Sequence, residues 1–352
     1  MKIAQIPPLY EAVPPRLYGG TERVVAHLTD ALVDAGHDVT LFATAESTTR
    51  AKLVSVRDQA IRLDPAPLKS DVAAHLSMLH EVRERIDEFD VIHFHVDLLQ
   101  LPIFEKVANR TLTTLHGRLD IKDLSSVYRR WPQYPLASIS DHQRTPLPFA
   151  HWLGTVYHGY PPGLYPFTAN PRGDYLAFLG RISPEKRVDR AIEIATRVGM
   201  PLKIAAKVDA ADTRYFHEQI EPLLSQPGIE FIGEIGDDQK PDFLGNAAAL
   251  LFPIDWPEPF GLVMIEAMSC GTPVVGWNCG SVPEVLENGV TGRIVQSIED
   301  AVSATREVLG YDRAKVRAVF EERFTAAAMA SDYVALYERL AQSRNRGLRL
   351  LA

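Results

Sequence analysis

Two glutamates separated by seven residues stand in the segment Pro253 to Thr272, PIDWPEPFGLVMIEAMSCGT. Glu258 falls in a loop after an apolar run that reads as a strand, and Glu266 falls inside the helix that follows. An ionised carboxylate offers only acceptors, so each suits paired hydroxyls: a sugar ring for one and a nucleotide ribose for the other. Between them Phe260, Gly261 and Leu262 open the helix, where unpaired N–H groups and the helix dipole favour a phosphate. The stretch Phe178 to Arg187, FLGRISPEKR, adds two cations, Arg181 and Lys186. Charge developing on a phosphate leaving group must be met by such fixed positive groups or by a metal.

Other candidates sit at similar places. Gly19 and Gly20 precede a helix beginning at Thr21, so the backbone there admits a phosphate or sugar. His116 and Gly117 end a strand at TLHG. His93, His95 and Asp97 (HFHVD) end another, with a spacing that suits a metal; no fourth ligand is evident, which favours acceptor contact or packing. Lys207 in AAKVD reaches a phosphate or points into solvent. Loops 7 to 18 and 118 to 134 hold Tyr10, Tyr18, Tyr128, Arg129, Arg130 and Trp131, a mixture suited to a sugar, an aromatic aglycone or a lipid headgroup. The acceptor side is therefore assigned His95, Asp97, Tyr128 and Arg129.

Positioning these residues requires strands and helices in alternation. Lys2 to Ile6 reads as a strand, Thr21 to Ala35 as a helix with apolar Val24, Val25, Leu28 and Leu32, and Asp38 to Ala43 as a strand, a βαβ unit that demands a parallel sheet. A helix capped by Ser70 runs to Glu88, and strands follow at Val91 to Phe94, Thr111 to Leu115, Leu136 to Ile139 and Leu153 to Val156. Pro and Gly crowd the segment between Tyr157 and Asp174, which marks a linker. The rhythm then restarts. Strands are expected at Tyr175 to Leu179, Leu202 to Ala205, Ile229 to Ile232, Ala248 to Phe252 and Val274 to Val275, with helices at Val188 to Val198, Thr213 to Leu224, Gly261 to Ser269 and Val282 to Glu287. In such sheets ligands bind beyond the carboxyl ends of the strands. The domains are drawn at 1–160 and 161–330, with a last helical segment, 331–352, returning to the first.

A chain of 352 residues favours two cores over one. The net charge of −8 argues against a nucleic-acid partner, whose phosphates are gripped by surplus Lys and Arg. Two cysteines, Cys270 and Cys279, point to a reducing compartment. The start, MKIAQIPPLY, lacks the apolar core of a signal peptide, and no run approaches the roughly 20 apolar residues of a membrane span. A cytoplasmic location is expected, with the basic and apolar tail SRNRGLRLL able to touch an anionic membrane or to pack on the first domain.

The two-glutamate spacing, with PFGL after Glu258 and EAMSCGTPVV from Glu266, resembles the retaining glycosyltransferases of family 4. The resemblance implies the GT-B fold, two Rossmann-like, doubly wound parallel-sheet α/β domains facing across a cleft. It implies that Glu258 contacts the transferred sugar, that Glu266 holds the ribose, that Arg181 and Lys186 bind the diphosphate, and that His116 lies beside the sugar. Gly19 and Gly20 match the family's first Gly-rich loop, and Gly233, Glu234 and Ile235 the contacts to the nucleobase. Gly280-Ser281-Val282-Pro283-Glu284 resembles the G-G-x-P-E loop with an altered register. Ala205-Ala206-Lys207 departs from relatives that place glycine there. The activity implied is transfer of a hexose from a nucleotide-diphosphate sugar, UDP- or GDP-linked, to a hydroxyl on a small-molecule, glycan or lipid-linked acceptor. The leaving phosphate would help to deprotonate the acceptor in a front-face route. With no DxD-type carboxylate pair, transfer is expected to need no metal and no cofactor beyond the donor. An epimerase or hydrolase on the same fold, or a sensor that binds the donor without turning it over, would share most of these features.

Overall fold

The computed structural model describes residues 1–16, 19–66 and 70–351, with side chains to Arg344. Tyr18 and the side chains of the basic tail beyond Arg344 lie outside the described residues. The chain divides into two compact units, Met1–Tyr160 with Ala326–Ala352, and Pro161–Thr325. The final helix thus belongs with the first unit from Ala326, five residues before the boundary drawn at 331.

The first unit runs β1 (Lys2–Ile6), α1 (Gly20–Asp34), β2 (Asp38–Thr44), β3 (Lys52–Arg57), α2 (Asp71–Glu84), β4 (Val91–Phe94), β5 (Thr111–Thr114), α3 (Leu124–Arg130), β6 (Leu136–Ser138) and β7 (Trp152–Thr155). Its seven strands pair in parallel in the order β3-β2-β1-β4-β5-β6-β7. Ile3 of β1 lies between Val39 of β2 and Val91 of β4, so the apolar residues of neighbouring strands coincide. The apolar stripe of α1, Val24, Val25, Leu28 and Leu32, is buried. Ser70 caps α2, its Oγ accepting the Val72 N–H at 3.2 Å.

The second unit runs β8 (Leu176–Arg181), α4 (Val188–Val198), β9 (Leu202–Lys207), α5 (Thr213–Tyr215), β10 (Ile229–Gly233), α6 (Lys240–Gly245), β11 (Ala249–Phe252), α7 (Leu262–Ser269), β12 (Val274–Trp277), α8 (Val282–Val285), β13 (Gly292–Val295), α9 (Ile298–Val308) and α10 (Arg313–Arg323). Its sheet is again parallel, in the order β10-β9-β8-β11-β12-β13. In each sheet the strand order reverses beside the first strand, between β1 and β4 and between β8 and β11. The carboxyl ends of the strands at such a reversal are the usual ligand position of a doubly wound sheet.

Several elements differ from the expectation. The segment Thr213 to Leu224 is one turn of α-helix followed by a π-turn at Phe216–Ile220 and a 3-10 turn at Glu221–Ser225. Pro222 has no N–H to donate four residues back, so a regular helix cannot pass it. α2 stops at Glu84, and a separate 3-10 turn spans Ile86–Glu88. β3, β13, α9 and α10 carry no signal in the sequence reading above. β3 is an edge strand with no buried residue, and α10 buries only Val316, Val319 and Phe320 among many charges. Their patterns are therefore weak.

The last helix, α11 (Ala326–Leu351), inserts Tyr333, Leu336, Tyr337 and Leu340 into the first unit, each less than a twentieth exposed. Gly154 of β7 allows its approach: a Cβ there would meet Leu336 Cδ2 at 2.7 Å. Among the described residues no helix is long and apolar enough to cross a membrane.

Candidate functional site

At the reversal point of the second sheet, the loop after β8 and the loop after β11 are stapled together. The Asp255 N–H donates to the Glu185 carbonyl at 2.8 Å. The Asp255 carboxylate accepts from Arg187 at 2.9 Å and Arg190 at 3.2 Å. Arg187 itself caps the start of α4 with a left-handed φ of 53°, held by its fork on Asp189. This staple sets the Lys186 ammonium against the Glu258 carboxylate, to which it donates directly. Trp256 Nε1 donates to the same carboxylate oxygen at 3.0 Å, and the Lys186 ammonium lies 5.1 Å from the Trp256 ring centroid. The result is a largely buried cation and anion in mutual contact, flanked by aromatic faces.

Two further cations lie at the same edge. Arg181 and Lys207 are register partners at the ends of β8 and β9. Both reach Asp209, at 3.3 Å and 3.1 Å. Lys207 is thus half-exposed and ion-paired rather than loose in solvent. The positive groups draw the Asp209 carboxyl below the usual range against the opposing effect of its burial.

Glu266, on the first turns of α7, is 4 % exposed and held from two sides. Tyr165 Oη donates to it at 3.2 Å and Lys240 Nζ at 3.4 Å. α7 begins after Gly261, whose φ of +81° and packing against Met264 and Phe252, with a Cβ at 2.8 and 3.1 Å, both require glycine. Leu262 at the helix start is only half-buried, which leaves its end accessible to an anion. Phe260 is buried against Phe324, so only its backbone is available to a ligand. Gly233 ends β10 at a bulge with φ +79°, followed by exposed Glu234 and half-buried Ile235.

In the first unit, Gly19 caps α1, whose first residue is Gly20. A Cβ on Gly19 would meet Pro15 at 2.9 Å and the Glu22 carboxylate at 3.0 Å. The buried Glu22 is pushed up to about 7 by desolvation. Beyond β4 and β5, His95 Nδ1 lies 2.8 Å from His116 Nε2, and the His116 ring stacks on His158 at 5.3 Å. Asp97 is exposed, with a left-handed φ of 54°. Among the described residues no three His, Cys, Asp or Glu side chains converge as a metal-holding group.

Comparison with known proteins divides the chain in the same way. The family model "Glycosyltransferase Family 4" matches residues 18–151, and "Glycosyl transferases group 1" matches residues 167–322. The chain belongs to glycosyltransferase family 4. It is 25 % identical over 350 residues to a phosphatidyl-myo-inositol mannosyltransferase of Mycolicibacterium smegmatis, covering 88 % of this chain and 84 % of the relative. AviGT4, a glycosyltransferase involved in avilamycin A biosynthesis, superposes with a TM-score of 0.75 at 24 % identity, over 97 % of this chain and 98 % of its own. HepE of Anabaena, solved in complex with UDP and glucose, superposes with a TM-score of 0.73 at 18 % identity, over 96 % and 100 %. Both units therefore have the Rossmann-like architecture of GT-B glycosyltransferases.

In this family 4 chain some assigned residues play other parts. Tyr128 is 2 % exposed and packs in the core of the first unit, so it is unavailable to an acceptor. Arg129 lies on the Phe149 ring, 3.7 Å from its centroid, with its outer face exposed. His93 and His95 are buried in a hydrogen-bonded network rather than open to solvent. Tyr165, Trp256, Lys240 and Asp209 were not singled out in the sequence, since nothing local marks them as partners of Glu266, Glu258 and Arg181.

The Gly280-Ser281 step holds the Glu258 loop from behind. The Ser281 N–H donates to the Glu258 carbonyl at 3.0 Å and its Oγ to the Phe260 carbonyl at 2.7 Å. Gly280 has φ +58°, and a Cβ there would collide with the backbone of Glu258. Gly280→Ala is therefore expected to cost about 3 kcal/mol of stability, from left-handed strain and overpacking together. It should also displace Glu258 and depress turnover more than tenfold. Urea denaturation and steady-state rates check both; a variant with unchanged stability would contradict this packing.

Proposed function

We propose that this family 4 chain transfers a hexose from a UDP- or GDP-sugar to a hydroxyl acceptor, with retention of anomeric configuration and without a metal ion. The observation that carries the reading is the contact between Lys186 and Glu258 at the reversal point of the second sheet, beside the start of α7. A sugar diphosphate needs a cation, hydroxyl acceptors and free N–H donors within one small region. Lys186, Glu258 and the backbone of Gly261 and Leu262 supply them in that order.

In this reading Lys186 and Arg181 hold the diphosphate and stabilise charge on it as the glycosidic bond breaks. Glu258 exchanges part of its contact with Lys186 for the sugar hydroxyls, while Glu266, already oriented by Tyr165 and Lys240, accepts from the ribose pair. Lys207 supplements the phosphate charge, and Gly233, Glu234 and Ile235 border the base. In the first unit, Gly19 and Gly20 give the donor a close backbone approach and His116 accepts from a sugar hydroxyl. Asp97 and Arg129 border the acceptor. HepE is named with bound UDP and glucose, and the mycolicibacterial relative is named for a phosphatidyl-inositol acceptor; these support the donor class and a small-molecule, glycan or lipid-linked acceptor.

The test is product analysis with the full chain, a panel of UDP- and GDP-hexoses, and alcohol, glycan and glycolipid acceptors in the presence of EDTA. The expected result is acceptor-dependent release of nucleoside diphosphate and a product whose anomeric proton coupling matches the donor's α-configuration. An inverted product, or release that is complete without any acceptor beyond water, would overturn the reading.

A further inference from the structure

His116 is the end of a chain of hydrogen bonds that begins on the C-terminal helix. His93 Nε2 lies 2.7 Å from Thr114 Oγ1, which in turn meets Tyr333 Oη at 2.9 Å. His93 Nδ1 lies 2.8 Å from Tyr337 Oη and 3.4 Å from Gln5 Nε2. Gln5 Nε2 also reaches Tyr337 Oη at 3.3 Å, and Gln5 Oε1 lies 2.8 Å from His95 Nε2. His95 Nδ1 then meets His116 Nε2 at 2.8 Å. His116 Nδ1 is buried with no hydrogen-bond partner.

The polarity of this chain follows from counting donors. A neutral imidazole has one N–H and one acceptor nitrogen. Gln5 turns its NH₂ towards two acceptors, the Tyr337 oxygen and His93 Nδ1, which leaves its carbonyl oxygen facing His95. That oxygen only accepts, so His95 carries its proton on Nε2 and its Nδ1 is an acceptor. His116 must then donate from Nε2, and its Nδ1 holds a bare lone pair. The reverse polarity would leave a buried N–H on His116 without an acceptor, the costlier of the two orphans.

We propose that Gln5 and His95 are positioning residues that fix His116 in its Nε2–H form, so that Nδ1 is presented as an acceptor for a hydroxyl of the transferred sugar. The second half of this proposal rests on the reading that the chain is a glycosyltransferase with His116 beside the sugar. The burial of all three histidine rings, His93, His95 and His116, favours their neutral forms through desolvation, which keeps the relay of single protons intact. α11 contributes by its tyrosines: Tyr337 sets the amide orientation of Gln5 through the oxygen that accepts from it.

The experiment is a two-bond ¹H–¹⁵N correlation spectrum of the full chain labelled with ¹⁵N-histidine, with the His116 signals assigned by their loss in His116→Gln and, independently, His116→Asn. The expected spectrum shows an unprotonated Nδ1 and a protonated Nε2 on His116, with the same pattern on His95. In Gln5→Leu, His116 is expected to populate both tautomers, and kcat to fall about tenfold with the donor KM within twofold. Gln5→Glu keeps an oxygen towards His95 and is expected to retain the wild-type tautomer of His116. A proton on His116 Nδ1 in the wild-type chain would overturn the relay whatever the activity. An unchanged His116 tautomer in Gln5→Leu would remove Gln5 from it. The spectra need no turnover, so a correct tautomer in a chain that transfers no sugar would sink the enzymatic reading and leave the relay standing.

Discussion

Lys186→Ala is expected to lower kcat for glycosyl transfer by about 10²- to 10³-fold while the chain stays folded. Among the described residues the ammonium is the one cation in contact with Glu258, and in the proposed chemistry it meets charge as it develops on the leaving phosphate. Removing it leaves Glu258 with the Trp256 N–H and a partly open side, so the structural cost is limited to that of one broken, partly buried pair. Glu258→Ala is expected to fall as far, because the two side chains act on the same bound sugar phosphate. The double variant should then lose little more than either single one. Far-UV circular dichroism and steady-state rates on the three variants check this. Additive losses would place the two residues in separate roles, and rates within fivefold of wild type would remove both from the site.

The second large effect is an acid lability confined to the first unit. His93, His95 and His158 are at most 3 % exposed, and burial holds each well below the ordinary histidine range. His27 and His116, half-buried, are lowered to about 4 and about 3 for the same reason. In the unfolded chain these rings take up protons near pH 6.5, while in the fold they stay neutral. The unfolded state therefore binds more protons below pH 6.5, and stability falls as the pH falls. Each ring that stays neutral in the fold adds to that slope. Glu22, raised to about 7, acts in the opposite sense between pH 7 and its unfolded value of 4.5, and offsets part of this loss. The lowered histidines outnumber the raised carboxylates of this unit, so the balance is a loss of stability as the pH falls from 6.5 towards 5. Urea titrations between pH 7.5 and 5, read by pulsed hydrogen exchange, should show residues 1–160 losing protection before residues 161–325, a unit whose one histidine, His217, is exposed. Equal acid sensitivity of the two units would contradict this.

The parts of this architecture that were legible in the sequence are those with strong local patterns. β1, α1 and β2 announce themselves through alternating strand and helix periods, and Glu258 and Glu266 through their spacing around a glycine that opens a helix. The linker was legible because Pro and Gly crowd it. What was not legible depends on partners distant in sequence. Asp255 reads as an ordinary loop acid until Arg187 and Arg190, more than sixty residues away, are seen to hold it. Lys240 and Tyr165 carry no motif, yet they orient Glu266. Tyr128 illustrates the converse: an aromatic residue beside two arginines looked like a ligand contact, and the helix it sits on turns it into the core. His95 looked like an open strand-end ligand because the chain alone does not show that Gln5, His93 and His116 enclose it.

The most direct test of the central claim is calorimetric titration of UDP, GDP and ADP into the full chain and into the Arg181→Ala, Lys186→Ala double variant. The account predicts saturable binding with a preference for one uracil or guanine nucleotide. It predicts an affinity at least about 10²-fold weaker in the variant, as expected when two charge-assisted contacts to phosphate are lost. Binding of equal strength in both proteins, or no binding of any of the three to the wild-type chain, would contradict it.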